Sequence, residues 1–207
     1  MGRERWYIAL TGDCNLLKRA KEDPAFGEFL NWISIFEKGG QDDWPGHDNW
    51  PGAAMHREFC EAVKQMNVEH PSIATRVFTL DRIFDQLHYL LSEERRQGDG
   101  YADDWGTKAI IGATELPPHL KGTQGFSSRY SRPGDVAAIA AWMSPITKES
   151  LRSCYFPEDM DLYIYKFGYS RDDPDAAFLD IWKYFDDFRA FYKEVALHGE
   201  AILTIMD

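Results

Sequence analysis

From Asp175 to His198 the apolar residues recur every three or four positions: Phe178, Leu179, Ile181, Trp182, Phe185, Phe188, Phe191, Tyr192 and Val195. That spacing gathers them on one broad face of a helix. Asp172-Asp173-Pro174 marks its start, with carboxylates set favourably against the positive end of the helix dipole. Gly199 stops it, and Ala201 to Met206 reads as a strand. At the other end of the chain, Trp6 to Leu10 reads as a short strand. The two terminal strands are expected to be sheet neighbours.

Between them the pattern is weaker. Leu16, Leu17 and Ala20 predict a helix that ends at Asp23-Pro24. Phe26, Phe29, Leu30, Ile33 and Phe36 continue a helical pattern to Gly39-Gly40. Ala53 to Met66 predicts a helix through Phe59, Val63 and Met66. Arg76 to Thr79 is extended, and Leu80 to Ser92 is a helix. The charged, glycine-containing stretch 93–104 is expected to be a mobile loop. Ala109-Ile110-Ile111 reads as a buried strand, and Gly125 to Tyr130 as an extended segment. Pro133 suits a first helical turn, with Val136, Ile139, Ala140 and Met143 facing inward until Pro145. Thr147 caps a further helix, and Leu162 to Phe167 reads as a strand. The class that emerges is α+β: one domain over residues 1–207, with a small mixed or antiparallel sheet packed by helices, including the long aromatic C-terminal one.

Residues 41–52 stand apart. Asp43-Trp44-Pro45-Gly46 and Asn49-Trp50-Pro51-Gly52 repeat nearly the same turn, in which Pro fixes φ and Gly supplies a positive one. Trp44 and Trp50 either staple this loop to the core or wall a pocket, and Trp105 is a third candidate for such a wall.

Composition changes the picture mainly by exclusion. The chain has 207 residues, 44% of them hydrophobic and 14% aromatic, enough to bury a core without disulfides or a structural metal. Its formal net charge of -11 disfavours nucleic acid, whose phosphates demand a surplus of Lys and Arg, and disfavours an anionic membrane surface equally. An acidic surface serves solubility and can match a basic protein partner. Cys14, Cys60 and Cys154 are odd in number and widely spaced, so neither a zinc knuckle nor a Cys-x-x-Cys redox motif is present. Lone thiols fit a reducing compartment, no leader or membrane span is legible, and the expected location is the cytoplasm.

Three groups of residues could carry chemistry. Asp81, Asp85 and His88 fall at i, i+4 and i+7 of the helix read over Leu80 to Ser92, where a His beside two carboxylates could act as a base or hold a ligand. The simpler reading is a solvated face on which Asp85 pairs with His88. His56 and Cys60 lie at metal-ligand spacing near Glu61, with His47 or His70 as remote partners, but no recognisable ligand set completes them. Arg129 and Tyr130, with Arg132, precede a helix start and could hold an anion; the alternative is that Arg129 pairs with one of the many carboxylates. No nucleophile elbow, phosphate loop or dinucleotide fingerprint is present. The chain predicts no metal and no cofactor.

Several segments together resemble the YfbM-like family of bacterial proteins, domain of unknown function 1877. They are the helix Leu80-Asp81-Arg82-Ile83-Phe84-Asp85-Gln86-Leu87-His88-Tyr89-Leu90-Leu91, the run Ala109-Ile110-Ile111-Gly112-Ala113-Thr114-Glu115, the stretch Tyr130 to Ile139, and the aromatic helix from Leu179 through Ala201-Ile202-Leu203. The resemblance covers the chain from about residue 77 onward, the first strand and helix weakly, and the Trp-Pro-Gly loop not at all. Where the family helix carries a Trp-His pair, this chain has Phe84-Asp85, so only His88 of the two family histidines is kept. The resemblance implies a compact α+β fold and a cytoplasmic bacterial protein, and it implies no particular reaction. The function expected is therefore a non-enzymatic binding protein whose acidic surface suits a basic protein partner. The alternative is a small-ligand protein or enzyme with a cleft around Asp81, Asp85 and His88. A homodimer is compatible with the aromatic surface.

Overall fold

The computed structural model describes residues 5–10, 18–19, 22–23, 53–69, 77–81, 83–98, 101–115, 129–164 and 173–206. The Trp-Pro-Gly loop, with Trp44 and Trp50, and the helical pattern read over residues 26–36 lie outside them. Among the described residues, five strands form one antiparallel sheet: β1 (Arg5–Leu10), β2 (Val77–Leu80), β3 (Thr114–Glu115), β4 (Arg129–Ser131) and β5 (Ala201–Met206), in the order β2-β1-β5-β4-β3. The terminal strands are neighbours as expected, paired from Arg5↔Met206 to Leu10↔Ala201.

Residues opposite one another in an antiparallel pair share a face. The register therefore puts Phe78, Tyr7, Thr204 and Arg129 in one row, with Leu80, Arg5 and Met206 in the next row of that same face. The reverse face carries Trp6, Ile8, Leu10, Leu203, Ile205 and Tyr130, all buried. A strand buried on both sides reads as a continuous apolar run, which is what Trp6 to Leu10 is.

The described helices are α1 (Ala53–Glu69), α2 (Phe84–Leu91), α3 (Glu93–Arg96), α4 (Trp105–Ile111), α5 (Pro133–Met143), α6 (Lys148–Arg152), α7 (Pro157–Tyr163) and α8 (Pro174–Leu197). Helix α8 starts where its sequence says: the Asp173 carboxylate accepts from the Ala176 N–H at 3.0 Å, and Pro174 occupies the first turn. It ends at Gly199, whose φ of 64° is in the left-handed region. Phe178, Ile181, Phe185, Phe188, Tyr192 and Val195 form its buried stripe, each burial contributing roughly 1.5–3 kcal/mol. The stripe packs on α5 and reaches the sheet, where the Phe188 ring meets Tyr7 edge-on at 4.8 Å. Leu179, at the margin of the predicted stripe, is exposed.

Four sequence expectations change. Ala109-Ile110-Ile111 is the last turn of α4, not a strand; Asp104 caps this helix by accepting from the Thr107 N–H at 2.8 Å. Leu162 opens no strand, because Pro157, Glu158 and Asp159 begin helix α7, which runs through Tyr163; residues 165–167 of the expected strand lie outside the described residues. The helix expected from Leu80 starts only at Phe84, since Leu80 pairs with Arg5 in the sheet. Within 93–104, where a loop is expected, Glu93–Arg96 form the helical turn α3, capped by the Ser92 hydroxyl. Among the described residues no helix is long and apolar enough to cross a membrane.

Candidate functional site

Because α2 begins at Phe84, Asp81 stands before the helix, exposed, and does not join the stripe read from the sequence. Asp85 does not pair with His88 either: Arg95 Nη2 lies 3.0 Å from its carboxylate, and both side chains are mostly buried. His88 is 4% exposed, so its face of α2 is not a solvated one. The structure thus separates the three residues of the strongest sequence candidate into an exposed carboxylate, a half-buried ion pair and a buried imidazole.

The imidazole belongs to a bonded network where α2 crosses α4. His88 Nε2 lies 2.9 Å from Thr107 Oγ1. Thr107 Oγ1 lies 3.0 Å from Asp104 Oδ2 and 3.3 Å from Ser92 Oγ, and Ser92 donates to Asp104 Oδ2 at 2.6 Å. A hydroxyl has one proton. With the Thr107 proton on the Asp104 carboxylate, His88 Nε2 is assigned the role of donor to Thr107. The helices can approach this closely because residue 106 is glycine: a Cβ there would lie 2.2 Å from the Leu91 carbonyl oxygen.

Burial, and after it the nearby cations Arg95 and Arg5, pulls the His88 imidazole down to about 4, so it is neutral at pH 7. Burial pushes the Asp104 carboxyl upward, but hydrogen bonds from Ser92 and Thr107 outweigh it and hold it below the ordinary range. The Nε2 proton is committed to Thr107 and the depressed value leaves Nδ1 a weak base, which suits joining two helices better than taking a proton from a substrate.

The other predicted residues are dispersed. Trp105 opens α4 at the surface, with Lys108 Nζ 4.9 Å above its ring and 2.7 Å from Asp103. Arg129 spends its guanidinium on backbone: Nε donates to the Gly112 carbonyl at 2.8 Å and Nη2 to that of Ala113 at 3.4 Å, with Glu115 3.9 Å away. Tyr130 is buried on the opposite sheet face, next to Leu203. Cys60 is half-buried in α1 with its thiol pushed up by burial, while His47 and His70 lie outside the described residues. Among the described residues no three His, Cys, Asp or Glu side chains are grouped to hold a metal.

Sequence reasoning missed two features. Arg5 is buried on the same sheet face as Tyr7, and the alternation Arg5, Tyr7, Ala9 was the available signal. The second is a pair of surface hollows beside the start of α8. One of about 650 Å³ is lined by Tyr155, Phe156, Glu158, Asp159, Leu162 and Pro174. The other, of about 320 Å³, is lined by Arg152, Asp175, Phe178 and Leu179 among others. Their apolar rims are open to water: Phe156 is 50% exposed, Leu162 76% and Leu179 50%.

A family model described as DUF1877, domain of unknown function, matches residues 16–205. Among solved structures, the protein of unknown function YfbM from Escherichia coli is similar with a TM-score of 0.53 and 16% sequence identity, over 73% of this chain and 94% of that one. At this identity the likeness speaks to the fold alone. No curated protein matches the chain.

Proposed function

We propose a binding role for this chain, which belongs to the DUF1877 family, a domain of unknown function. Its occupant is a protein segment carrying both basic and apolar side chains, received by the hollows beside α6, α7 and the start of α8. The observation that carries this reading is the exposure of Phe156, Leu162 and Leu179 around those hollows, together with the carboxylates Glu158, Asp159 and Asp175 at their edges. Large apolar side chains open to water, rimmed by the carboxylates Glu149, Glu158, Asp159 and Asp175 against the cations Lys148 and Arg152, favour a partner of complementary character. The net charge of -11 extends that preference beyond the rim by steering basic partners. The rim also has cations, but Arg152 is already 2.6 Å from Asp175 and stacks over Tyr155 and Phe178 at 4.9 and 5.1 Å.

The alternative cleft around Asp81, Asp85 and His88 draws less support from the geometry. His88 is buried with its Nε2 engaged by Thr107, and Asp85 is paired with Arg95.

The test is capture of one basic partner at low salt by the full chain and by Leu162→Glu. A 76% exposed side chain contributes little to folding, so the substitution leaves stability within about 0.5 kcal/mol. The expected result is a partner retained at low salt, released as ionic strength rises and bound at least about tenfold more weakly by the variant. A chain that retains nothing at low salt, or a variant that binds as well as the parent, refutes the reading.

A further inference from the structure

Arg5 opens β1 and lies among apolar groups, where an arginine has an obligation it cannot escape. A buried charge is costly unless paired, and a guanidinium does not shed its proton in a protein. Aspartate or lysine could neutralise itself in such a place; arginine requires a counter-charge. Among the described residues, the charged groups near Arg5 are engaged elsewhere, and the Asp85 charge that reaches it is shared with Arg95. Asp85 is 3.0 Å from Arg95, and Arg129 donates to two backbone carbonyls. His88 is neutral, and the Tyr7 hydroxyl donates to the Ile110 carbonyl at 2.7 Å. What Arg5 does have is the Met206 sulfur 3.4 Å from Nη2 and the Phe84 ring 5.0 Å from its central carbon. A thioether is a weak acceptor, and a ring face returns only part of the lost hydration. Arg5 Nε is buried with no hydrogen-bond partner.

A second orphan stands beside it. Thr204 Oγ1 is also buried and without a partner. The register places Arg5 opposite Met206 and Tyr7 opposite Thr204, so Arg5 and Thr204 are diagonal neighbours on one sheet face, about 7–8 Å apart at Cα. Gly112 lies next to that hydroxyl, where a Cβ would come within 3.4 Å of Oγ1. Native proteins rarely leave buried polar atoms on two neighbouring residues unsatisfied without an ion, water or ligand to explain them.

We propose that this end of the sheet binds a small organic monocarboxylate, with Arg5 as the counter-charge, Thr204 as a hydroxyl donor, and Phe84 and Met206 flanking its short apolar tail. One uncompensated positive charge calls for one negative charge. A phosphate dianion would leave a net buried charge again and would demand more donors than Arg5 and Thr204 supply. Bidentate guanidinium–carboxylate pairing is the geometry arginine is built for. The site is independent of the hollows beside α8, so either reading can fail without the other.

Thermal unfolding and calorimetric titration with sodium propionate, against sodium chloride at equal ionic strength, test the site. The parent chain is expected to show a saturable rise in Tm with propionate and none with chloride. Arg5→Met removes the effect, and without propionate it melts at or above the parent, because an apolar side chain replaces an unpaired buried charge. Thr204→Val keeps Arg5 and carries the test should Arg5→Met fail to fold; its propionate Kd rises about tenfold, the worth of one hydrogen bond to a charged group. Three outcomes overturn the proposal: no saturable effect of propionate on the parent, an undiminished effect in either variant, or an equal saturable rise with inorganic phosphate.

Discussion

Two polar clusters sit inside this protein a short distance apart, and they differ in how fully their atoms are bonded. At the crossing of α2 and α4, His88, Ser92, Asp104 and Thr107 satisfy one another at 2.6–3.0 Å. At the end of the sheet, Arg5 Nε and Thr204 Oγ1 have no partner at all. The first cluster has turned its carboxylate, its hydroxyls and the His88 Nε2–H toward one another, and its bonds fix two helices. The second has a charge and a hydroxyl in reserve and does little for stability. Residue types alone would have ranked them the other way, since histidine beside aspartate looks like chemistry and an arginine at a strand start looks like surface. Satisfaction, not composition, separates a structural cluster from a binding one.

The contrast is broken most severely by prying the bonded cluster apart. Gly106→Ala would ordinarily stabilise a helix by about 1 kcal/mol. Here the added Cβ meets the Leu91 carbonyl oxygen at 2.2 Å, a backbone atom that cannot swing aside, and α2 must move from α4. The expected cost is about 3 kcal/mol or more, read as a lowered urea midpoint. A midpoint equal to or above the parent's would mean that the helices do not approach at this glycine.

Acid attacks the same cluster through His88. Its folded value of about 4 is depressed below the ordinary 6.5, so the unfolded chain takes up a proton that the folded one refuses. The stability this represents is fully present above pH 6.5 and is lost as the pH falls from 6.5 toward 4, by about 3 kcal/mol over that window. Asp104 enters only lower, since its carboxyl is held below 3.8 and the bonds it accepts persist through the window. Other groups titrate in parent and variant alike, so the informative quantity is the difference between the parent and His88→Gln in urea unfolding at pH 7, 6, 5 and 4.5. That difference shrinks steadily with acid if His88 is buried and neutral. A difference that stays constant would place the imidazole in water.

How much of this was legible beforehand depended on how each segment is buried. Helix α8 was readable because one face is wet and the other dry, so its period shows, and Asp173 and Gly199 punctuate it. Pro133 at the head of α5 and Thr147 at the cap of α6 were read for the same reason: local backbone chemistry writes them. Helix α4 reads as a strand because Ala109, Ile110 and Ile111 are all buried, and three buried apolar residues in a row hold no polar position to reveal the helical period. Its real signature was Asp104 three residues before Thr107. The unsatisfied pair was illegible for a different reason. Arg5 and Thr204 lie 199 positions apart, and only the pairing of the first strand with the last makes them neighbours. Deciding that they lack partners requires every surrounding bond to be counted, which no pattern in the sequence encodes.

The finest test of the contrast applies one chemical change to both clusters. Thr107→Val and Thr204→Val each replace a hydroxyl with a methyl of similar size in a buried site. Thr107 accepts from His88 and donates to Asp104, so its loss strands a buried N–H and removes one of the bonds holding the carboxylate; about 1–3 kcal/mol is expected. Thr204 has no bond to lose. Folding has already stripped water from its hydroxyl without return, and a methyl in its place has no such cost. In chloride buffer free of carboxylates, Thr204→Val is therefore expected within about 0.5 kcal/mol of the parent, or above it. Equal losses at the two positions in urea denaturation would mean that the Thr204 hydroxyl holds a permanent partner such as an internal water. The sheet end would then be as saturated as the helix crossing, and the distinction between the two clusters would disappear.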